Sequence, residues 1–323
     1  MMRGVNLKVV AGLAACCVVG LAAVARDNTT PDEWLQKMSH AVQTLDYEGT
    51  LIRKDNDDVQ PLKIVHKKID GVVNERIVIQ EGNGLEVIRI GDEVHCILPD
   101  KKSVLIEQWD NASTLFSTVP SGDIDPGAQY DVLILSRGQR IAGRSAVQLA
   151  IRPNDRLRFE HRYWLDEITG FPLRTELVNH DGEIVDQLKF ADIQLDGHIA
   201  KNQLAPSINL DNFTWYTNSD VDVEQDVETR WSSDGLPAGF RILSARNEIM
   251  AGSVEAIAHI VIGDGLATVS VFVSEIHGEA ITRSDQRGAS SSFSTEIDGS
   301  MITAVGEVPP ETLEIIANSM RRQ

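Results

Sequence analysis

Residue types that do chemistry are plentiful in this 323-residue chain, but they are not arranged to work together. The eight histidines never pair at metal-ligand spacing, and His180, His198 and His277 fall in turn-like segments beside acidic or glycine residues. Ser290, Ser291 and Ser292 form a cluster with no histidine close to them in sequence. A serine nucleophile can draw its base from far along a chain, so an exported hydrolase stays open as an alternative. There is no Gly-x-Ser-x-Gly elbow, His-Glu-x-x-His, Cys-x-x-Cys or phosphate-cradling loop. Carboxylates are so numerous that any chosen pair lacks meaning as a glycosidase signature. The sequence therefore yields no catalytic residue, no metal site and no cofactor site.

The elements that would position any site begin after a leader. Val9 to Ala25 is an uninterrupted apolar and small stretch of 17 residues, preceded by Arg3 and Lys8 and closed by Ala23-Val24-Ala25. This is the pattern of a cleavable secretory signal over residues 1–25 and is short for a membrane span. Leu13-Ala14-Ala15-Cys16 also fits a lipidation pattern, but Cys16 leads into more apolar residues and not into a polar tether. Cleavage after Ala25 leaves Cys96 as the lone cysteine, expected to lie inside the strand Val94 to Leu98. It also removes two bases and no acid, leaving 28 basic against 48 acidic residues, a net charge of −20. Such a field disfavours nucleic acid as a partner.

Trp34, Leu35, Met38, Val42 and Leu45 recur on one helical stripe behind Pro31, which predicts a helix over 31–45. From there to about residue 195 short apolar runs alternate with glycine turns such as Asp70-Gly71, Gly91-Asp92 and Asp181-Gly182, the pattern of an antiparallel meander. Leu157, Phe159, His161, Tyr163 and Leu165 alternate with Arg158, Glu160 and Arg162, placing an apolar face inward and a charged face outward. Residues 196–226 lose periodicity and read as a linker that contains the acidic stretch from Asp220. A second module spans 227–323, with strands at Ala258 to Ile262, Ala267 to Val273 and Met301 to Val305, a serine-rich loop at Gly288 to Ser294, and a closing helix after Pro309-Pro310.

Several of these segments resemble the MucB/RseB family. In the first half they are Trp34 to Met38, Leu45-Asp46-Tyr47-Glu48-Gly49-Thr50, Asn74-Glu75-Arg76, Glu86 to Arg89, Tyr163-Trp164-Leu165-Asp166 and Thr169-Gly170-Phe171-Pro172-Leu173-Arg174. The second half agrees in Trp231, Gly235 to Phe240, Asp264-Gly265-Leu266-Ala267, Ser270 to Val273 and Val305 to Pro309. The order and spacing of the set cover nearly all of the chain after its leader. The resemblance implies a periplasmic negative regulator of the sigma-E-type envelope stress response that is not an enzyme. Such a protein binds the periplasmic domain of a membrane anti-sigma factor of the RseA/MucA kind and shields it from site-1 proteolysis. It also implies release by lipopolysaccharide or another lipid, and self-association into a homo-oligomer. The implied fold is α+β and β-rich: a curved antiparallel half-barrel with covering helices, LolA/LolB-like, over residues 26–195, plus a smaller α+β C-terminal domain.

On that fold Phe159, Tyr163, Leu173, Leu177, Leu188 and Phe190 share one face and are expected to line a lipid cavity. Trp231, Phe240 and Phe272 are the expected aromatic anchors for a protein partner. Capture of an anionic lipid by so acidic a chain would depend on local bases such as Lys63, His66, Lys67, Lys68 and Arg76, or Arg152, Arg156, Arg158 and Arg162. A periplasmic lipid or lipoprotein carrier is the principal alternative, since it shares the first fold but lacks a second module.

Overall fold

A computed structural model describes residues 28–55, 58–108, 127–217, 230–249, 256–276 and 282–322. The expected leader, the acidic run 220–228 and His277 lie outside them. Helix α1 (Pro31–Thr44) begins where the sequence places it and is fixed by a device the stripe alone does not reveal. Thr30 Oγ1 accepts from the Glu33 N–H at 3.3 Å, and the Glu33 carboxylate accepts from the Thr30 N–H at 2.7 Å, a reciprocal cap ahead of Pro31. Trp34, Leu35, Met38, Ala41 and Val42 are all buried on its inner stripe.

That stripe packs on an open twelve-stranded sheet. Strands β1 (Tyr47–Asp55), β2 (Asp58–Ile69), β3 (Val72–Ile79), β4 (Glu86–Ile90), β5 (Glu93–Leu98) and β6 (Ser103–Gln108) run as one meander. A second meander, β7 (Tyr130–Ile141), β8 (Arg144–Pro153), β9 (Glu160–Asp166), β10 (Pro172–Val178) and β11 (Ile184–Leu195), returns to lay β11 against β1. Gly49 makes that seam possible: a Cβ there would fall 2.4 Å from the Asp192 carbonyl oxygen. Tyr47, also on β1, stacks on His66 at 4.7 Å and meets Phe171 at 4.7 Å, centring the core beneath α1.

Over its described residues, 196–217, the expected linker is corrected by the structure. Residues 199–213 form a strap pressed on the face opposite α1. Ile199 is buried and its carbonyl accepts from Lys67 Nζ at 3.0 Å. Gln203 donates to Glu48 at 2.6 Å, Ser207 Oγ donates to Glu86 at 2.7 Å, and Leu210 and Phe213 pack on Ile88, Ile97 and Val104. The strap ends in β12 (Thr214–Thr217), which pairs parallel with β6. Residues 196–213 looked unstructured because isolated apolar anchors and carbonyl contacts leave no period in a sequence.

The smaller domain is α+β. Strands β13 (Trp231–Ser233), β14 (Arg241–Ile249), β15 (Ala256–Gly263), β16 (Thr268–Glu275), β17 (Arg283–Arg287), β18 (Ser290–Ile297), β19 (Ser300–Gly306) and β20 (Met320–Arg322) complete the chain. Six of them form a sheet in the order β14-β15-β16-β19-β18-β17, and β13 pairs with β20. Helix α2 (Pro310–Asn318) buries Leu313, Ile316 and Ala317 against this sheet. The serine-rich segment expected as a loop is largely strand β18. Its inward positions Ser291, Phe293 and Thr295 alternate with more accessible ones, and only Gly288-Ala289 makes the turn. A fragment ending at residue 195 is expected to bare Ile88, Ile97 and Val104 and to lose about 3 kcal/mol or more relative to one ending at 217. Urea unfolding of the two fragments, with a dye reporting exposed apolar surface, checks this.

Candidate functional site

The six residues expected to line a lipid cavity do share one face, because Tyr163 lies opposite Thr175, Thr175 opposite Leu188, and Leu177 opposite His161. All six are buried, however, and that face is already occupied twice. Tyr163, Leu173, Leu188 and Phe190 belong to the core beneath α1. Phe159 and Leu177 join Val185 and, from the second domain, Ala289. The expected open cavity is therefore corrected to a packed face, of which Leu177 borders a smaller cavity between the domains. The alternation identified the inward face without showing what covers it.

The second domain covers the far end of that face through one buried arginine. Arg158, fully buried, donates from Nε to Asp264 at 2.6 Å, from Nη1 to Asp155 and from Nη2 to the Ala238 carbonyl. Tyr130 Oη donates to the same Asp264 oxygen at 2.8 Å, and the other oxygen accepts from the N–H groups of Leu266 and Ala267 at 3.0 and 2.8 Å. The guanidinium lies 4.6 Å from the Phe240 ring centre and 5.5 Å from that of Tyr130. Thr312 Oγ1 of α2 donates to the Leu157 carbonyl at 2.7 Å. Gly239, at φ +87°, brings its backbone against Gln129 and Arg158, where a Cβ would sit 2.8 Å from Gln129 Cγ. Burial alone would raise the Asp264 carboxyl, but hydrogen bonds from Arg158, the two backbone amides and Tyr130 hold it below the usual carboxylate range.

Beside this latch lies a cavity of about 270 Å³, bounded by His161 and Leu177 on one side and by Leu266 to Thr268, Ser270 and Val305 to Glu307 on the other. Burial pushes His161 down to about 4, partly offset by the Asp264 charge, so its ring is neutral at physiological pH. Its nitrogen lies 3.2 Å from Tyr163 Oη.

Of the expected partner anchors, Phe240 is buried under Arg158 at the interface between the domains. Trp231 is partly buried against the second core, and Phe272 is half-buried with its ring stacked 4.5 Å from His259. The structure does not bring the three together on one open surface. Among the bases weighed for an anionic lipid, Arg158 and His66 are buried, His66 against Glu75, and Arg76 is bound to Glu86.

Sequence reasoning missed a different apolar wall. Ile77, Ile79, Val87, Cys96 and Leu105 are half-buried. Ile77 packs with the α1 core, and the register carries its face through Val87 and Cys96 to Leu105. The short strands β4 to β6 alternate correctly for this, and their registers could have been paired outward from β3.

The family model for the MucB/RseB N-terminal domain matches residues 30–208, and the model for the MucB/RseB C-terminal domain matches residues 225–321. The chain belongs to the MucB/RseB family. Its relatives include the sigma factor AlgU regulatory protein MucB of Pseudomonas aeruginosa, 28% identical over 93% of this chain and 94% of that protein. The sigma-E factor regulatory protein RseB of Escherichia coli is 25% identical over 89% of each. Among solved structures, the Pseudomonas aeruginosa MucA/MucB complex superposes with a TM-score of 0.71 at 27% identity, covering 91% of this chain and 99% of that one. A crystal structure of MucB superposes with a TM-score of 0.63 at 28% identity, covering 90% of this chain and 97% of that one.

Arg158→Met is expected to destabilise the chain by about 3 kcal/mol, since it leaves the Asp264 carboxylate buried without its cation. The lowered Asp264 carboxyl contributes stability above an ordinary carboxylate pKa of about 4, and this is lost as pH falls through its lowered value. Asp264→Asn should therefore reduce stability at neutral pH and flatten the acid limb, as followed by chemical unfolding across pH.

Proposed function

We propose that this chain is a periplasmic regulator that binds the periplasmic domain of a membrane anti-sigma factor and shields it from site-1 proteolysis, acting as a binding protein and not as an enzyme. The observation that carries this reading is the superposition of both domains on MucB solved with MucA, over nearly the whole of that chain. The family is one of sigma-factor regulators. Physically, inhibition is occupancy: a protease needs an extended, accessible stretch of substrate, and a partner that covers this stretch denies access. The latched interface supports this role because in the docked form it aligns two surfaces, so a partner touching both meets a prearranged site.

Release requires a ligand with different affinities for the free and the engaged regulator. The half-buried wall of Ile77, Ile79, Val87, Cys96 and Leu105 is the surface suited to an acyl chain, in place of the six core positions. A carrier reading would leave the second domain and its latch without a purpose.

The test titrates the purified protein against the periplasmic domain of a MucA/RseA-type anti-sigma factor from the same organism, then adds the matching site-1 protease. Saturable binding is expected, with cleavage slowing in proportion to occupancy. Binding that leaves cleavage unchanged, or no saturable binding, would overturn the proposal. Dispersed lipopolysaccharide should displace the anti-sigma domain, and Val87→Arg should weaken displacement about tenfold, about 1.4 kcal/mol, while leaving anti-sigma affinity unchanged.

A further inference from the structure

A second set of charges crosses the interface between the domains, and it is arranged to oppose docking. Asp55 ends β1 directly opposite Asp186 on β11, and like charges placed opposite on neighbouring strands repel. Asp186 is 6% exposed and pairs with Arg53 at 3.4 Å, whose own side chain is 46% exposed. Among the described residues, Asp55 Oδ1 is buried without a hydrogen-bond partner. The turn at Gly288 of the second domain seats on this pair: an added Cβ there would meet Asp55 Oδ1 and lie 3.0 Å from the Val185 carbonyl oxygen. Ala289, next in the chain, packs with Phe159, Leu177 and Val185. From the same domain Glu307, at the end of β19, faces the charges of Asp186, Asp55 and Arg53, with His161 across the neighbouring cavity.

We infer that docking of the two domains is tightened by acid: Asp55, Asp186 and Glu307 form a like-charged cluster across the interface, and protonating it draws the second domain onto the first.

The direction follows from the environment. Desolvation and the nearby Asp55 charge raise Asp186, with Arg53 offsetting part of the rise. Partial desolvation and the charges of Asp186 and Asp55 raise Glu307, again against Arg53. Glu307 is the member whose raising charges come from the other domain. A carboxyl raised in the docked form favours docking fully below an ordinary carboxylate pKa of about 4, and that contribution is lost as pH rises through the raised value. The latch works in the opposite sense, because Asp264 must stay ionised to hold Arg158. Its carboxyl is lowered, so it stays charged while the cluster takes up protons. His161, pushed down to about 4, stays neutral over the same interval. As pH falls through the raised values of Asp186 and Glu307 the repulsive cluster relaxes, while the lowered Asp264 keeps the latch intact. This inference stands on the interface and does not depend on the anti-sigma reading.

The test is a distance measurement by paired spin labels on the full chain with Cys16→Ser, Cys17→Ser and Cys96→Ser, labelled at Asp181→Cys and Glu296→Cys. Both label sites are exposed, one on each domain. The ratio of docked to open populations should rise steadily as pH is lowered from 7.5 towards 4. The Arg158→Met background, where docking is weakened, should show the same trend from a lower starting ratio. Glu307→Gln, at an exposed position, should raise docking at pH 7.5 and shrink the pH response. Asp186→Asn combined with Glu307→Gln should leave the ratio high and nearly independent of pH. An unchanged ratio across pH in both the parent and the Arg158→Met background would overturn the inference. So would a ratio that falls on acidification, or a pH response that survives the double substitution.

Discussion

Everything that makes this a two-domain body and not two beads on a tether turns on the enclosure of one guanidinium. Arg158 satisfies Asp155 of its own domain and Asp264 and Ala238 of the other, between two aromatic rings, and without them it would be a naked charge out of contact with water. A buried ion pair of this kind adds little net stability compared with a well-packed apolar contact, but separating its halves is costly. It therefore acts as a constraint on geometry. The Gly239 turn, the placement of Phe240 and the covering of Phe159 and Leu177 all follow from where that side chain ends.

The first-domain architecture was largely legible in the sequence. Pro31 and the apolar stripe from Trp34 located α1 to within a residue, and glycine turns marked the meander, because helical and strand periods survive in the chain as simple repeats. Arg158 was not legible. It alternates correctly for a solvated strand face, and its partners Ala238 and Asp264 lie 80 and 106 residues away. Strand β18 was missed because serine is a poor strand former, although Ser291, Phe293 and Thr295 keep the alternation. The strap was missed for lack of any period. The six lining residues were assigned to the right face and the wrong occupant, since a pattern records which side turns inward but not which element fills the space.

The strap and the latch act on opposite faces of one sheet. Residues 199–213 cross the outer face and seal Ile88, Ile97 and Val104, while α1 and the second domain share the inner face. Between them the wall from Ile77 to Leu105 is left half-covered. The inner face is thus divided into a stretch closed by the helix, a stretch closed by the second domain and a stretch of accessible apolar surface.

The seam between β1 and β11 also dictates the order in which the chain can become a protein. Tyr47 pairs with Leu195, so the centre of the large sheet joins its first strand to its eleventh, and the core under α1 lacks Leu188 and Phe190 until that strand arrives. A chain emerging from its amino end must carry Trp34, Met38 and Leu51 without their final partners through the synthesis or passage of well over a hundred residues. Such long-range closure makes for slow folding and prolonged exposure of apolar surface. The stretch of greatest vulnerability is therefore the interval before residue 195 is available, and quality control would meet a helix already formed, capped and waiting for a strand.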